Sequence, residues 1–545
     1  MKRVPSENFS SSRFLRLVPK KSLIVTLFNY CLIANLIFTV GYFLLRFNQS
    51  ETINQLKVIN SADDPQPLLM NNMNSEIVQN SNISEATSFE HFTYVHSAFR
   101  ISHSEIRLSI VRSINNSLPI VYEYGPKRSG FVELECHQGE CYPDNFSPPC
   151  IINGYIGYIN GLRITDGDEF ISLFSNDIMH PQKIRVIDTR RKPSNATTYQ
   201  HQLGVCVQPI YLHTDYSAFI HFFEYWISEG ATKFILYRES YSPDVARILE
   251  FYKATVNLLN STQAKSPQIE IDIVDWSRLP TPPNMENDTK SNPNYYWFRL
   301  EVFTAIFDCV NRARGKVKYV ALTDVDEMLW ISKNRSVISF MDSLNSTEPD
   351  MAAASFRSRR AKFKENEWKN ITKSNKLSSF DFHAFSSIRL EGKIFSRPLY
   401  SKFIVRPERM LHLHIHRPRQ TELIPGKHLR YKHVDVNPKD GVVLHLRRLK
   451  DMYRWENESS SDILSQKQVL WEKSFRKRIQ HYNFEEGSKW NEIPPQFSKD
   501  LEECRQSMSN NKDVECHNLA GCEKKLSTKY STLNWVRADN SWIVI

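Results

Sequence analysis

Charged residues are absent from one long stretch near the start of the sequence. Residues 23–45, LIVTLFNYCLIANLIFTVGYFLL, contain no Asp, Glu, Lys or Arg, and a run of this length can span a bilayer. The run is too long for the core of a signal peptide, and no small-residue cleavage site follows it. Its polar flanks and its lack of an amphipathic period argue against a buried core helix. The sequence therefore predicts a single transmembrane helix over residues 23–45.

Acidic residues are almost missing before this helix, which sets its predicted orientation. Residues 1–46 carry seven Lys or Arg and one acid, Glu7, so they account for +6 of the net charge of +10 and leave +4 for the rest. The positive-inside bias places residues 1–22 in the cytosol and everything after residue 46 across the membrane. Because the basic balance is mainly a topology signal, it gives little support to nucleic-acid binding, and no such partner is predicted.

Apolar periodicity is missing from the next segment. Residues 46–88 are polar and rich in Asn and Ser, which predicts a flexible stem. From about Phe89, short β-rich runs such as HFTYVHSAFRI and YIGYINGLRI appear, split by Gly, Pro and Asn. We therefore predict a small antiparallel β-rich accessory region over residues 89–200, packed on the domain that follows it.

The cysteines show no spacing that is typical of a zinc site. Of the nine Cys residues, Cys31 lies in the predicted membrane helix, and the other eight follow it. N-x-S/T sequons recur from Asn48 to Asn457, which fits the lumen of the secretory pathway. Because that compartment is oxidising, disulfides are the expected state of the eight cysteines.

Two groups of cysteines lie close together in the chain. We expect one local cross-linked region within Cys136–Cys150 and another within Cys504–Cys522. The second belongs to a predicted Cys-containing C-terminal cover, residues 491–545. A zinc site remains the alternative, because His137 and His517 stand beside cysteines.

Strand and helix patterns alternate from residue 201 onward. Strand-like runs occur at 204–211, 233–240 and 268–276, and helical patterns occur at 216–231, 243–255 and 296–314. This alternation is typical of a largely parallel sheet with right-handed crossovers. We therefore predict an α/β domain of the nucleotide-binding type over residues 201–490.

The fourth strand of this domain ends in a cluster of acids. In KVKYVALTDVDEMLWI, residues 316–331, an apolar run ends at Thr323 and is followed by Asp324, Asp326 and Glu327. Since unpaired acids in a core carry a large desolvation cost, these carboxylates should project at the strand's carboxyl edge, where open α/β sheets bind ligands. Two carboxylates at i and i+2 suit one hard divalent cation and leave sites for substrate phosphates. The alternative is a solvated turn at a strand end.

A second apolar strand ends in a histidine. In VVLHLRR, His445 follows three apolar residues, and Arg447 comes two positions later. A neutral imidazole can complete a carboxylate-bound metal shell, and a guanidinium suits a diphosphate. The alternating run LHLHIH predicts that His412, His414 and His416 share one strand face, and we expect His416 to contribute to the site.

A basic run, RSRRAKFKENEWK, occupies residues 357–369. A solvated face is the ordinary interpretation of such a run. In an enzyme built around phosphates, its cations are also candidates to flank the donor or acceptor pocket. These cations are Arg357, Arg359, Arg360 and Lys362.

Several of these runs, taken in order, resemble glycosyltransferase family 92. The resemblance is carried by CVQPIY…FIHFFEYWISEGATKFILYRES, FDCVNRAR, YVALTDVDEMLW, KFIVRPERMLHLHIH and VVLHLRR, and it covers roughly residues 92–480. It implies a GT-A fold and a single-pass type II Golgi membrane enzyme. It also implies Mn²⁺-dependent transfer of galactose from UDP-galactose, in β linkage, to a sugar of a glycan acceptor.

The resemblance also implies roles for individual residues. Asp324 and Asp326 match the motif that binds the metal and the diphosphate, and His445 matches the late histidine that completes the metal site. The candidate substrate-binding side chains are Arg299, Lys402 and Arg447.

An inverting transferase needs a carboxylate that takes the proton from the acceptor hydroxyl. Asp381 and Glu391, between the acidic strand and the histidines, are the candidates for this catalytic base. Two other functions stay open. One is a membrane-tethered glycan-binding protein without turnover, and the other is a metal-dependent phosphohydrolase, although the sequence shows no second ligand cluster for a two-metal centre.

Overall fold

The computed structural model describes residues 89–545 except for 126–127, 138–149, 166–168, 176–179, 192–197, 258–267, 364–376, 448–454, 456, 483–489, 491–494, 511–515 and 517–519. The predicted cytosolic tail (1–22), transmembrane helix (23–45) and stem (46–88) lie outside the described residues. In the described part of the chain, no helix combines the length and apolar character needed to cross a bilayer.

The β-rich region forms a nine-stranded sheet. Its strands are β1 (Thr93–Arg100), β2 (Glu105–Ser113), β3 (Ile120–Glu123), β4 (Ser129–Phe131), β5 (Glu133–Cys136), β6 (Ile152–Asn160), β7 (Phe170–Ser175), β8 (Gln182–Asp188) and the last strand of the chain, β25 (Ile543–Val544). The order is β4-β3-β7-β8-β1-β2-β6-β5, with β25 also paired to β1. Alternate apolar residues such as Ile106, Leu108 and Ile110 fill its core, because successive strand residues point to opposite faces. The C-terminal residues therefore complete a sheet that begins at residue 93.

The predicted α/β alternation is confirmed in the central part of the chain. Its elements are β9 (His201–Ile210), α1 (Tyr216–Ser228), β10 (Ala231–Arg238), β11 (Ser240–Tyr241), α2 (Pro243–Thr255), β12 (Glu270–Asp275), α3 (Pro283–Glu286), α4 (Val302–Ala313), β13 (Val317–Thr323), β14 (Glu327–Ile331) and α5 (Val337–Thr347). Local signals set these boundaries. Asp215 caps α1 by accepting from the Ala218 N–H, and Gly230, at φ 92°, follows its end. Ser242 caps α2 in the same way, with Pro243 as the first helical residue.

The remaining strands form two large sheets and two two-stranded sheets. The elements are β15 (Met351–Phe356), β16 (Ser358–Phe363), β17 (Ile388–Ile394), β18 (Lys402–Val405), β19 (Met410–Leu413), β20 (Pro418–Thr421), β21 (Lys432–Asp435), β22 (Gly441–Arg447), β23 (Ser459–Ser461), α6 (Ser465–Gln480), α7 (Pro495–Asn510), α8 (Ala520–Lys529) and β24 (Val536–Arg537). A seven-stranded sheet has the order β12-β10-β9-β13-β18-β15-β21, and a five-stranded sheet has the order β14-β22-β16-β17-β23.

The seven-stranded sheet places several strand ends at one edge. Strands β12, β10, β9 and β13 are mutually parallel, so their carboxyl ends lie together. Strand β18 runs antiparallel to β13, with Leu322 opposite Phe403, so its first residue, Lys402, starts at the same edge. The chain then leaves β13 through a turn that contains Asp324 and Asp326, which we call the acidic turn with Glu327 as its third acid. It enters the five-stranded sheet as β14. The acids therefore lie where the two sheets meet.

The disulfides confirm an oxidised chain, in which Cys136 is also disulfide-bonded, but they correct the predicted place of Cys150 in a local cross-link. Cys504 bonds Cys522, as expected for the C-terminal region. Cys150, however, bonds Cys516, which is 366 residues away, and ties the β-rich region to the C-terminal cover. These bonds rule out the zinc alternative for the cysteines involved, because a disulfide sulfur has no thiolate to offer a metal. A further bond, Cys206–Cys309, joins β9 to α4.

The helix before the acidic strand begins at Val302, later than the sequence predicts. Arg299, Leu300 and Glu301 have φ values of 46°, 59° and 49°, which is the left-handed region that non-glycine residues seldom adopt. Such strain persists only where the surroundings hold it. Here the Trp276 indole N–H donates to the carbonyl of Leu300 at 2.7 Å, and the side chain of Glu301 is buried.

Glu301 should make stability depend on pH. Burial raises its pKa to about 8 from 4.5, so the folded protein retains a proton that the unfolded chain loses. The stability from this group is therefore complete below about pH 4 and is lost as pH rises toward 8. We expect Glu301→Gln, which is neutral at every pH, to raise the free energy of unfolding by up to about 3 kcal/mol at pH 8 and to change it little at pH 4.5. Urea unfolding at both pH values measures this, and an equal effect at the two would contradict it.

Candidate active site

The turn between β13 and β14 is shaped by its third acid. The Oε2 atom of Glu327 accepts from the backbone N–H of Asp324 at 2.9 Å and from the hydroxyl of Thr323 at 3.3 Å. Glu327 is 2% exposed, whereas the side chains of Asp324 and Asp326 are 26% and 34% exposed. Glu327 therefore stabilises the turn from inside, and the two aspartates remain accessible to a ligand.

Lys402 bridges two of these acids from the neighbouring strand. Its Nζ lies 2.9 Å from Asp324 Oδ2 and 3.1 Å from Glu327 Oε2, and its side chain is 7% exposed. Burial alone would lower the pKa of Lys402, but the two carboxylates raise it above its usual value, so the ammonium stays charged. For Asp324, the Lys402 charge outweighs burial and holds the pKa below its usual range.

Gln208 also contacts the acidic turn and is not among the residues predicted from the sequence. Its amide donates to Asp324 Oδ1 from the carboxyl end of β9, the strand next to β13. The signal was available, because Gln208 is a polar residue close to the carboxyl end of a strand whose centre is apolar, at the edge where ligands bind. Together with Asp324, Lys402 and the Cys206–Cys309 disulfide, it lines a cleft beside the turn.

His445 approaches from the five-stranded sheet. It lies directly opposite Glu327 in the β14–β22 pair, and its Nε2 is 3.1 Å from Asp326 Oδ2. The backbone N–H of Leu446 donates to the carbonyl of Asp326 at 2.9 Å and fixes the turn against β22. Burial would lower the pKa of His445, but Asp326 raises it above its usual value. For Asp326, the same contact outweighs burial and holds the pKa well below its usual range.

Two arginines add positive charge on either side of the aspartates. Arg447 lies two residues after His445 on the same strand face, and its charge helps to lower the pKa of Asp326. Arg299, half-buried in the left-handed turn before α4, acts in the same way on Asp324. The structure thus brings together the predicted residues Arg299, Asp324, Asp326, Lys402, His445 and Arg447.

The two candidate bases occupy different places. Glu391 lies on β17, where its Oε1 is 4.0 Å from Nη1 of Arg360. Arg360 lies opposite His445 in the β16–β22 pair, so these side chains share one face of the sheet. Asp381 instead accepts from the backbone N–H of His383 at 3.0 Å in an irregular segment between β16 and β17. The described contacts of Asp381 include none with the acidic turn.

The prediction that three histidines share a strand face is wrong. Strand β19 ends at Leu413, where the chain bends as the N–H of His414 donates to the carbonyl of Arg417. His412 instead meets Glu135 of the β-rich sheet, with 3.2 Å between the imidazole and the carboxylate. Of the three histidines, His416 lies nearest to the predicted site, beside Lys402 and Asp324. Burial, followed by the Lys402 charge, lowers its pKa to about 3, so it is neutral.

The acidic turn offers carboxylate and imidazole groups, which are common metal ligands. Among the residues the structure describes, no three His, Cys, Asp or Glu side chains converge as a ready-made metal site. The chemistry of Asp324, Asp326 and His445 nevertheless suits a divalent cation that takes one or two protein carboxylates and completes its shell with substrate phosphates.

Comparisons with known proteins identify the family. The profile of glycosyltransferase family 92 matches residues 201–501, which is more than half of the 545-residue chain. No curated protein matches the chain. Among solved structures, the chain is similar to a UDP-glucose pyrophosphorylase complexed with UDP-glucose, at 9% identity and a TM-score of 0.19, over 52% of this chain and 100% of the other. The matched segment contains the acidic turn, Lys402 and His445, and the chain belongs to glycosyltransferase family 92.

Proposed function

We propose that this glycosyltransferase transfers galactose from UDP-galactose to a sugar of a glycan, with inversion at the anomeric carbon. The single observation that carries the proposal is the acidic turn at the carboxyl edge of β13, with Lys402 and Arg447 beside it. A nucleoside diphosphate is an anionic leaving group, and this edge offers it both cations and paired carboxylates. Galactose as the transferred sugar rests on the resemblance of the sequence motifs.

Asp324 and Asp326 would hold the divalent cation, Mn²⁺ in this proposal, with His445 as a third ligand. When bound, the cation would neutralise negative charge on the diphosphate. Because Lys402 and His445 now contact these aspartates, both contacts must adjust to make room for a ligand. Protonated His445 has no lone pair at Nε2 to offer a metal, so it must lose its proton before it can bind one.

The protein's own cations stabilise the departing group. As the bond between the anomeric carbon and the diphosphate oxygen breaks, negative charge grows on that oxygen. Lys402, Arg299 and Arg447 lie near the aspartates that would hold the diphosphate, so they would stabilise this charge, and fixed cations in a partly buried site are effective in that role. The new bond forms between the acceptor oxygen and the opposite face of the anomeric carbon, which inverts the configuration.

Glu391 is the carboxylate that the geometry favours as the base. It is carried by the same sheet face as His445, two strands away, which is about 10 Å at the usual strand spacing. That distance leaves room for the transferred sugar and the attacking hydroxyl between the diphosphate site and the base. The acceptor hydroxyl would give its proton to Glu391 as its oxygen attacks, so charge and atoms balance.

A donor screen of the full chain tests the proposed function. A panel of UDP-sugars, with a glycan acceptor mixture, is incubated with Mn²⁺ or with a chelator, and UDP and glycosylated product are quantified. We expect equal amounts of UDP and product, greatest with UDP-galactose and abolished by chelation. Release of phosphate without transfer would favour a phosphohydrolase, and glycan binding without turnover would favour a binding protein.

The proposed location is the Golgi membrane, with residues 47–545 in the lumen. Protease added to sealed microsomes should therefore leave one large protected fragment, because the membrane shields the lumenal part. That fragment should lose mass on glycosidase treatment, given its many sequons. Permeabilising the membrane with detergent before protease is the control. Complete digestion in sealed vesicles would contradict this topology.

A further inference from the structure

A polar row crosses the five-stranded sheet beyond His445. In the strand register, Glu327 lies opposite His445, and His445 lies opposite Arg360. Glu391 follows on β17, within 4.0 Å of Arg360. Residues opposite one another on neighbouring strands point to the same face. The row therefore leads from the acidic turn to the proposed base.

Glu391 carries an unsatisfied buried atom. The residue is 8% exposed, and its Oε2 has no hydrogen-bond partner among the residues that the structure describes. A buried carboxylate oxygen without a partner is costly and uncommon, and it calls for an explanation such as a ligand. An acceptor hydroxyl that donates to Glu391 would supply the missing bond.

Arg360 is held beside Glu391 by two aromatic rings. Its guanidinium carbon lies 4.7 Å from the ring centre of Phe395 and 5.5 Å from that of Tyr400, which is within cation–π range. The separation of 4.0 Å from Arg360 Nη1 to Glu391 Oε1 is too long for a direct hydrogen bond. This separation leaves room for a hydroxyl oxygen that accepts from Arg360 Nη1 while its proton points toward the Glu391 carboxylate, whose Oε2 lacks a partner among the described residues.

Tyr400 links this pair to the donor side of the site. It has a φ of 54°, a left-handed conformation that is strained for a non-glycine residue, and Lys402 follows it by two residues. Such strain tends to occur at functional sites, where the surrounding structure enforces it. Its ring also lies 6.1 Å from that of His416. Tyr400 is partly exposed, so a sugar ring can reach it.

We propose that Arg360 and Glu391, with Phe395 and Tyr400 as the aromatic support, form the binding site for the attacking hydroxyl of the acceptor sugar. Arg360 donates an N–H to the hydroxyl oxygen, and that hydroxyl donates its proton toward Glu391. This inference rests on the proposed function, because it assigns the acceptor of the same reaction. It makes Arg360 an acceptor-binding residue and leaves binding of the donor to the acidic turn.

The kinetics of Arg360→Gln distinguish a role in binding the acceptor from a role in binding the donor. We expect its KM for the acceptor to rise about 10-fold or more, as for loss of a charged hydrogen bond. The KM for the donor and the slow hydrolysis of the donor without acceptor should stay within about 2-fold of the wild type, because water needs no acceptor site. The control is Arg185→Gln, which makes the same change at an arginine 73% exposed on β8.

Tyr400→Leu gives a second, uncharged test that stands even if Arg360→Gln fails to fold. It removes the aromatic support, and the KM for the acceptor should again rise, by about 5-fold. An unchanged acceptor KM in the folded variants would overturn the acceptor site and leave the proposed function intact. Loss of donor hydrolysis to the same extent as loss of transfer would also overturn the acceptor site. A wild-type chain with no turnover of any UDP-sugar would remove the proposed function and this site with it.

Discussion

Asp326→Asn is expected to lower glycosyl transfer by about 100-fold or more while the protein stays folded. Asparagine keeps the size of the side chain and one acceptor oxygen, so the contact to His445, 3.1 Å from the carboxylate, can persist. The variant loses the negative charge that the proposed cation and the diphosphate site require. Because the side chain is 34% exposed, loss of its charge should change the free energy of unfolding little.

Initial rates of UDP release and product formation measure this effect across a range of Mn²⁺ concentrations. The matched control is Asp539→Asn, the same change at an exposed aspartate outside the site. Circular dichroism and the melting temperature establish that both variants are folded. Full activity in folded Asp326→Asn would end the proposal that this turn binds the donor.

Lys402→Met is expected to lower the free energy of unfolding by about 3–5 kcal/mol, which is the usual cost of removing one partner of a buried ion pair. Lys402 is 7% exposed and contacts both Asp324 and Glu327, and Glu327 is 2% exposed. Burial already raises the pKa of Glu327. Without the ammonium, Glu327 should take up a proton at higher pH, because a buried carboxylate with no cation is unstable.

Urea unfolding of the single and double variants measures this coupling. Glu327→Gln in the Lys402→Met background removes the unpaired acid, so it should restore part of the lost stability. The midpoint of unfolding should shift while the slope stays constant, since the surface exposed on unfolding is unchanged. A loss below about 1 kcal/mol in Lys402→Met would mean that water screens the pair as it does at a surface.

The sequence predicted the central part of the site because its signals are local. An apolar run that stops at Thr323 and turns acidic marks a strand end in a parallel sheet. Val442–Leu444 before His445 marks a second apolar strand, β22, which runs on to Arg447. The helices around β9 and β10 were predictable for the same reason, since Asp215, Ser242 and Gly230 stop or start them through contacts within a few residues.

Other features depend on contacts between distant parts of the chain. Gln208 contacts Asp324 only because β9 and β13 are neighbours in the sheet. Lys402 reaches the two acids because β18 runs antiparallel to β13 in one particular register. The bond from Cys150 to Cys516 crosses 366 residues, and no spacing between cysteines indicates it.

The sequence by itself determined the family, the oxidised state of the cysteines, the α/β alternation and the acids at a strand end. The α/β alternation and the acids follow from residue type and periodicity, which act over a few positions. The family follows from the resemblance of its motifs, and the oxidised cysteines follow from the predicted compartment. Only the tertiary structure decided that Lys402 lies between two carboxylates and that Glu391, rather than Asp381, shares a sheet face with His445. The physical reason is register: strand pairing sets which side chains share a face, and a shift by one residue would turn them to opposite faces.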